Sequence, residues 1–332
     1  MKRFSIIAAG LLGTLASAGL ARCAERFTLA FPVACKIGES CVIQNFVDRD
    51  PGPLAQDYRC GAMTYKGHDG TDIRIPSLLA MRAGVAVLAA ADGVVRHTRD
   101  SMPDISIRSA AANDIAGREC GNGIVIDHAD GWQTQYCHLA VGSVRVRPGA
   151  KVKRGAPIAR VGLSGKTEFP HLHITVRRKG RVVDPSAPDQ QAGTCGEGGA
   201  PLFEGVTQAD LYRDAFVLNR GFADGSIDGE AIETGKVEAR RPDVRAEALV
   251  AYIRVLGLKR GDIHRLVLKA PGGEALAETS LEPLDRPKAQ TMLYVGRKRA
   301  GAEPWPKGRY EAHYSVTRAG VQITDEAFSV EF

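Results

Sequence analysis

Apolar and polar residues alternate with period two in short runs along most of this chain, and the runs end at glycine or Asp-Gly. In "FPHLHITVRR", Leu172, Ile174 and Val176 would face one way and His171, His173, Thr175 and Arg177 the other. The runs "GVAVLAAADGVVRHT", "GNGIVIDHADGWQTQYCHL" and "GAKVKRGAPIARVGLSG" are equally β-rich, so residues 61–196 are expected to build an antiparallel sheet. "HADGW" predicts a tight hairpin turn, and "RRKG" a turn into a second short strand. Strict alternation in "TQYCHLA" places Thr134, Tyr136 and His138 on one face, opposite Gln135, Cys137 and Leu139. Residues 202–332 alternate in the same way between turn signals and predict a β-sandwich-like accessory domain. That half holds no cluster of histidine, cysteine or carboxylate. Its two histidines, His264 and His313, are expected at the surface or as satisfied strand residues. The fold class is therefore mainly β. Residues 25–60 form an irregular, cysteine-containing lead-in, and residues 186–201 have the composition of a linker or long surface loop.

The first 24 residues change the compartment. Lys2 and Arg3 precede a small-and-apolar run that reaches alanine-rich candidate cleavage sites, the pattern of a secretory signal peptide. No later stretch approaches the roughly 20 apolar residues of a membrane helix, so the mature protein is expected to be exported, with no transmembrane segment. Lys2, Arg3 and Arg22 would leave with the signal, which takes the formal charge from +6 to 6 − 3 = +3. No basic block interleaved with aromatics exists, and nucleic-acid binding has no support. Cys35, Cys41, Cys60, Cys120, Cys137 and Cys195 remain, an even set that suggests three disulfides in an oxidising compartment. The short interval favours Cys35–Cys41, with Cys60–Cys120 and Cys137–Cys195 as the expected remainder. The absence of any CxxC pair argues against a cysteine zinc ribbon or a thioredoxin-like redox motif.

Two imidazoles on one strand face are a natural start for a metal site, although His171 and His173 alone could equally be polar positions on a half-buried strand. His68 and Asp72 in "GHDGTDI" are spaced so that both side chains return to one side of the backbone. Alone, that pair would be a local hydrogen bond in a glycine-rich loop, and His138 just a histidine on a hairpin. Together, His68, Asp72 and His173 make a three-ligand set whose fourth position stays open, the layout of a catalytic zinc.

From Tyr65 to Pro185 the chain resembles the LytM or lysostaphin-type zinc metallopeptidases, which have the duplicated-hybrid-motif β fold. "GHDGTDI" is similar to that family's His-x-Gly-x-Asp motif and "YCHL" to its tyrosine-x-histidine-leucine segment. "VGLSGKTEFPHLH" is similar to its glycine-rich approach to His-x-His, and "GRVVDP" also has a counterpart. The resemblance implies one zinc ion per chain held by His68, Asp72 and His173, with His138 and His171 beside the metal as catalytic groups. It also implies a peptidoglycan substrate, cleaved in the peptide stems or cross-links, and the alanine- and arginine-rich exported chain suits a Gram-negative periplasm. No HExxH helix offers a glutamate base, and "GLSGK" around Ser164 is not the G-x-S-x-G of a serine hydrolase. Specificity is expected from groove loops at 98–120 and 186–201. The rival is a non-enzymatic binding module that regulates another cell-wall hydrolase; relatives of that kind have lost ligands, whereas all five polar positions are intact here. A protein partner is conceivable through the C-terminal domain.

Overall fold

A computed structural model describes residues 26–109 and 115–332; the expected signal peptide lies outside the described residues. The N-terminal half consists of β1 (Val42–Asn45), β2 (Thr71–Arg74), β3 (Ala86–Leu88), β4 (Gly93–Arg99), β5 (Asn122–Asp127), β6 (Trp132–Leu139), β7 (Lys151–Val152), β8 (Pro157–Arg160), β9 (His171–Arg178) and β10 (Arg181–Val183). Seven of these strands run in the order β1-β2-β9-β6-β5-β4-β7, and β10 pairs with the far end of β9. β3 and β8 form a separate ribbon. All the pairings are antiparallel. The Asp-Gly signal makes the β5–β6 hairpin as expected, with Asp130 and Gly131 both at positive φ (55° and 75°), the primed turn that matches strand twist.

Alternation sorts β9 cleanly. Leu172, Ile174 and Val176 are wholly buried and join Ile73, Tyr136, Ile124 and Ile126 in the main core beneath the sheet. At roughly 1.5–3 kcal/mol per buried aliphatic side chain, this apolar face fixes which way the histidines point, because a one-residue slip would turn all of them over. The lead-in belongs to this body: β1 forms the sheet edge against β2, and Leu29, Val33, Phe46 and Tyr58 enter the same core.

Of the three disulfides, Cys35–Cys41 is as expected, while the other two pairings differ: Cys60 joins Cys195, and Cys120 joins Cys137. Cys120 lies just before β5, beside the hairpin partner strand that carries Cys137, and the backbone N–H of His138 donates to the Cys120 carbonyl (2.8 Å). The 186–201 loop folds back over the lead-in, where Gly196 N–H donates to the Tyr58 carbonyl (2.7 Å) and Arg49 reaches the Gln190, Gln191 and Thr194 carbonyls. Those contacts bring Cys195 to Cys60. Spacing could not show either fold-back.

The C-terminal half is a β-sandwich. One sheet runs β11 (Phe216–Ala223), β12 (Ala248–Leu258) and β15 (Lys288–Lys298); the other has the order β14 (Ala275–Ser280), β13 (Ile263–Lys269), β16 (Arg309–Arg318) and β17 (Val321–Glu331). Leu249, Ala251, Ile253 and Val255 of β12 pack against Leu266 and Leu268 of β13 and against Tyr310, Ala312, Tyr314 and Val316 of β16. The opposite face of β12 is also covered. Tyr252 packs with Ile232 beneath the short helix α1 (Gly229–Thr234), and Leu256 packs with Leu218 of β11 and Val42 of β1. One face of β12 thus makes the sandwich, and the other docks on the N-terminal half. His264 is wholly buried in this domain, not at the surface, and its Nε2 has no partner.

Candidate metal centre and active site

The antiparallel register assembles the site. Asp72 stands opposite His173, Arg74 opposite His171, and Cys137 opposite His173 on the other flank. Directly opposed residues share a face, so β2 delivers its carboxylate to the histidine face of β9. His68 sits in the loop before β2. Between the two, Gly70 is obligatory on steric grounds: a Cβ there would lie 2.5 Å from His173 Nε2 and 2.7 Å from the Ile174 carbonyl oxygen.

His68 Nε2, Asp72 Oδ1 and His173 Nδ1 converge, with His68–Asp72 at 3.1 Å, His68–His173 at 3.1 Å and His173–Asp72 at 2.9 Å. Their outer atoms are each occupied. His68 Nδ1–H donates to the Phe46 carbonyl (2.6 Å), Asn45 Nδ2 donates to Asp72 Oδ2 (2.9 Å), and His173 Nε2 faces Thr175 Oγ1 (3.1 Å) and Asp69 Oδ1 (3.3 Å). Arg177 in turn holds the other Asp69 oxygen (3.1 Å). These outer contacts choose the tautomers: the inner nitrogens keep lone pairs aimed at one point. Three lone-pair donors sharing one buried point could hold a cation, and N/O donors of this kind are those a tetrahedral zinc site uses. Burial disfavours the charged ring of His173, but hydrogen bonds to Asp69 and Asp72 outweigh it and push His173 up to about 9. Burial likewise opposes charge on Asp72, yet the neighbouring His171 and His68 hold it well below the usual carboxylate range.

His138 and His171 stand beside this group, ring centroids 4.7 Å apart, with His138 6.0 Å from His173. His171 Nε2 lies 3.4 Å from Asp72 Oδ1. His171 Nδ1 reaches the Phe169 carbonyl (2.9 Å) and Thr167 Oγ1 (3.1 Å), and His138 Nδ1 reaches the Ser164 carbonyl (2.8 Å). Burial, then the neighbouring imidazoles His171 and His173, hold His138 well below the ordinary histidine range, so its ring is neutral at pH 7.

All five sequence-predicted residues therefore come together, but His138 arrives differently from the expectation. Gln135 and Cys137 line the site pocket, while Thr134 and Tyr136 are wholly buried on the other face. Strict alternation would send His138 into the core with Tyr136. Its left-handed backbone (φ 60°) breaks the alternation at the strand end and returns the ring to the pocket. The pocket, about 260 Å³, is walled by Tyr65 and Asp69 and by Glu119 and Lys166. Residues 119–120 of the expected groove loop line it; the 186–201 loop does not. Alternation had already put Thr175 on the histidine face, whereas Asn45, Asp69 and the carbonyls of Phe46 and Ser164 escaped sequence reasoning. Only Asp69 left a signal there, as the charged residue inside His-x-Gly-x-Asp.

Residues 66–185 match the family model for Peptidase family M23. Over 129 residues the chain is 32% identical to the cell division protein DipM of Caulobacter vibrioides, a stretch covering 37% of this chain and 17% of that protein. Over 117 residues it is 32% identical to the peptidoglycan DD-endopeptidase ShyA of Vibrio cholerae, covering 35% of this chain and 22% of the relative. A solved zinc-containing peptidase from Vibrio cholerae is 27% identical, with a TM-score of 0.28 and coverage of 44% of this chain and 39% of its own. The matched stretch thus spans less than a quarter of the length of the two curated relatives.

Proposed function

We propose that this protein is an exported zinc metalloendopeptidase, acting in a Gram-negative periplasm on amide bonds in peptidoglycan peptide stems or cross-links. The observation that carries the proposal is the convergence of His68 Nε2, Asp72 Oδ1 and His173 Nδ1 within 4.8 Å of one another, with two more imidazoles alongside. The DD-endopeptidase named among the relatives supports the substrate class. Three disulfides among the described residues suit an oxidising compartment.

His68, Asp72 and His173 would hold the ion. The chemistry zinc supplies in such a place is polarisation of the scissile carbonyl and a lowered pKa for water, toward about 7. The protein's own contribution is proton management and orientation. With Nδ1–H donated to Ser164, His138 presents Nε2 to the pocket and can accept a proton from the attacking water. The same Nε2 can pass that proton on to the leaving amine. His171 Nε2 lies beside the ligand group, 3.4 Å from Asp72 Oδ1 and with its ring 4.7 Å from that of His138, and can stabilise the developing oxyanion. The Tyr65 ring lies tilted against His68 (4.5 Å between centroids) and lines the pocket.

The test is incubation of purified protein with peptidoglycan, with and without a chelator, followed by identification of the released fragments. New amino termini within stems or cross-links, lost on chelation and regained with zinc, are the expected result. Intact sacculi with a zinc-loaded, folded protein would end the enzymatic proposal.

A further inference from the structure

One large charged side chain on the histidine face has no part in this chemistry. Arg74 follows Asp72 by two residues on β2 and stands opposite His171 in the register. It is only 1% exposed. Three parts of the chain hold its guanidinium: Nη1 donates to Gln44 Oε1 of β1 (2.7 Å) and to Gln290 Oε1 of β15 (2.9 Å), and Nη2 donates to Glu233 Oε2 of α1 (2.6 Å). Two of these three acceptors belong to the C-terminal domain. Glu233 is braced by Arg254 of β12 (2.6 Å), which also donates to the Pro76 carbonyl just past β2 (2.6 Å). The guanidinium carbon of Arg74 lies 4.1 Å from the centroid of the Phe169 ring. That ring is 4.9 Å from the His171 ring, and the Phe169 carbonyl is the acceptor for His171 Nδ1.

We infer that Arg74 and Glu233 are positioning residues for His171, through which the C-terminal domain completes the active site. A guanidinium is planar and rigid, so three fixed acceptors fix its plane, and the stacked Phe169 ring follows. Phe169 sits in the short turn before β9; its carbonyl accepts from Thr167 Oγ1 (2.9 Å), and that carbonyl and hydroxyl oxygen together face His171 Nδ1 and favour a proton there. With Nδ1–H donated there, Nε2 is left facing Asp72 Oδ1 of the ligand group (3.4 Å). A junction staple alone would be served by Arg254, Glu233 and the Pro76 carbonyl; the extension through Arg74 to Phe169 leads only toward His171. The inference rests on His171 acting in hydrolysis, as proposed above.

The test uses the full-length, zinc-loaded protein. Arg74→Lys keeps the charge but cannot stack as a plane, Phe169→Leu keeps apolar bulk, and Glu233→Gln keeps the shape of the acceptor. Each folded variant should retain one zinc per chain, because its ligands are untouched. Turnover of a soluble cross-linked muropeptide should fall roughly 10- to 100-fold, the usual cost of removing an orienting partner. KM should move by less than about two-fold, since ground-state binding is not what is lost. The Arg74→Lys/Phe169→Leu double variant should be no slower than the slower single, because both break one chain of contacts. Labelled-histidine ¹⁵N spectra should show a single His171 tautomer in the parent and a mixture in the variants. Unchanged kcat with a lowered Tm would make the junction a structural staple only, and additive losses would separate Arg74 from Phe169. If the parent protein cleaves no muropeptide, the proposed function fails by itself, and the His171 tautomer then decides: unchanged across the variants, it overturns the inference; mixed, it sustains it.

Discussion

The two β regions of this molecule bury ionisable side chains on opposite terms. In the N-terminal sheet five polar residues share one face, and nearly every outer atom is hydrogen-bonded so that the inner atoms converge. His173, between Asp69 and Asp72, is pushed up to about 9 despite burial. In the C-terminal sandwich His264 is buried alone among apolar strands: Tyr314 Oη is 3.4 Å from Nδ1 and nothing meets Nε2. Burial pushes its pKa down. A buried histidine is therefore no sign of a site. What marks one is a set of partners that select tautomers and leave lone pairs aimed at a common point.

The sharpest way to break this contrast is to remove histidines one at a time. His173→Ala leaves two protein ligands, and zinc content and hydrolysis should both collapse. His171→Ala and His138→Ala should keep zinc and lose about 10²–10⁴-fold in turnover, the range for lost acid–base help. His264→Phe should change neither. Zinc analysis and peptidoglycan cleavage on the folded variants decide it, and a His171→Ala protein without zinc would reverse the roles of the two neighbours.

Disulfides sharpen the comparison because all three lie in the N-terminal body and none in the sandwich. Cys60–Cys195 closes a far longer loop than Cys120–Cys137 (sequence separations 135 and 17). Replacing both members by alanine should cost about 5 kcal/mol for the long loop and about 3 kcal/mol for the short one on the chain-entropy account. Denaturant unfolding measures both, and mass mapping of non-reduced peptides checks the pairing. Equal costs would show that loop length is not what these bonds act through.

The pH dependence of the sandwich follows from His264. Its folded pKa lies below the ordinary 6.5, so the unfolded chain takes up the proton first. The neutral ring's contribution is fully present above 6.5 and is lost as pH falls below that value. His264→Phe should flatten the stability profile between pH 7 and 5, and a profile unchanged by the substitution would show that another group sets it. The smallest effect belongs to the exposed Arg265–Glu278 pair across β13 and β14 (2.8 Å): Glu278→Ala should leave the unfolding midpoint almost unmoved, because solvent screens such pairs. A larger shift would mean that surface charge contributes more to the sandwich than its core suggests.

The sequence by itself determined the strands and the constituents of the site. Period-two alternation fixes which face of β9 is apolar, Asp-Gly fixes the β5–β6 turn, and His-x-Gly-x-Asp with His-x-His names four of the five central side chains. These are local facts, carried by backbone geometry and by burial that every turn of the pattern repeats. Tertiary structure alone decided the rest. His138 reaches the pocket because its backbone adopts φ 60°, which no alternation rule contains. Cys60 meets Cys195 because the 186–201 loop folds back on the lead-in, and Asn45, Phe46 and Asp69 set ligand atoms only once sheet edge and loop are in place. The Arg74–Glu233 contact spans 159 positions, and such a pairing is fixed by packing between two folded bodies rather than by any spacing along the chain.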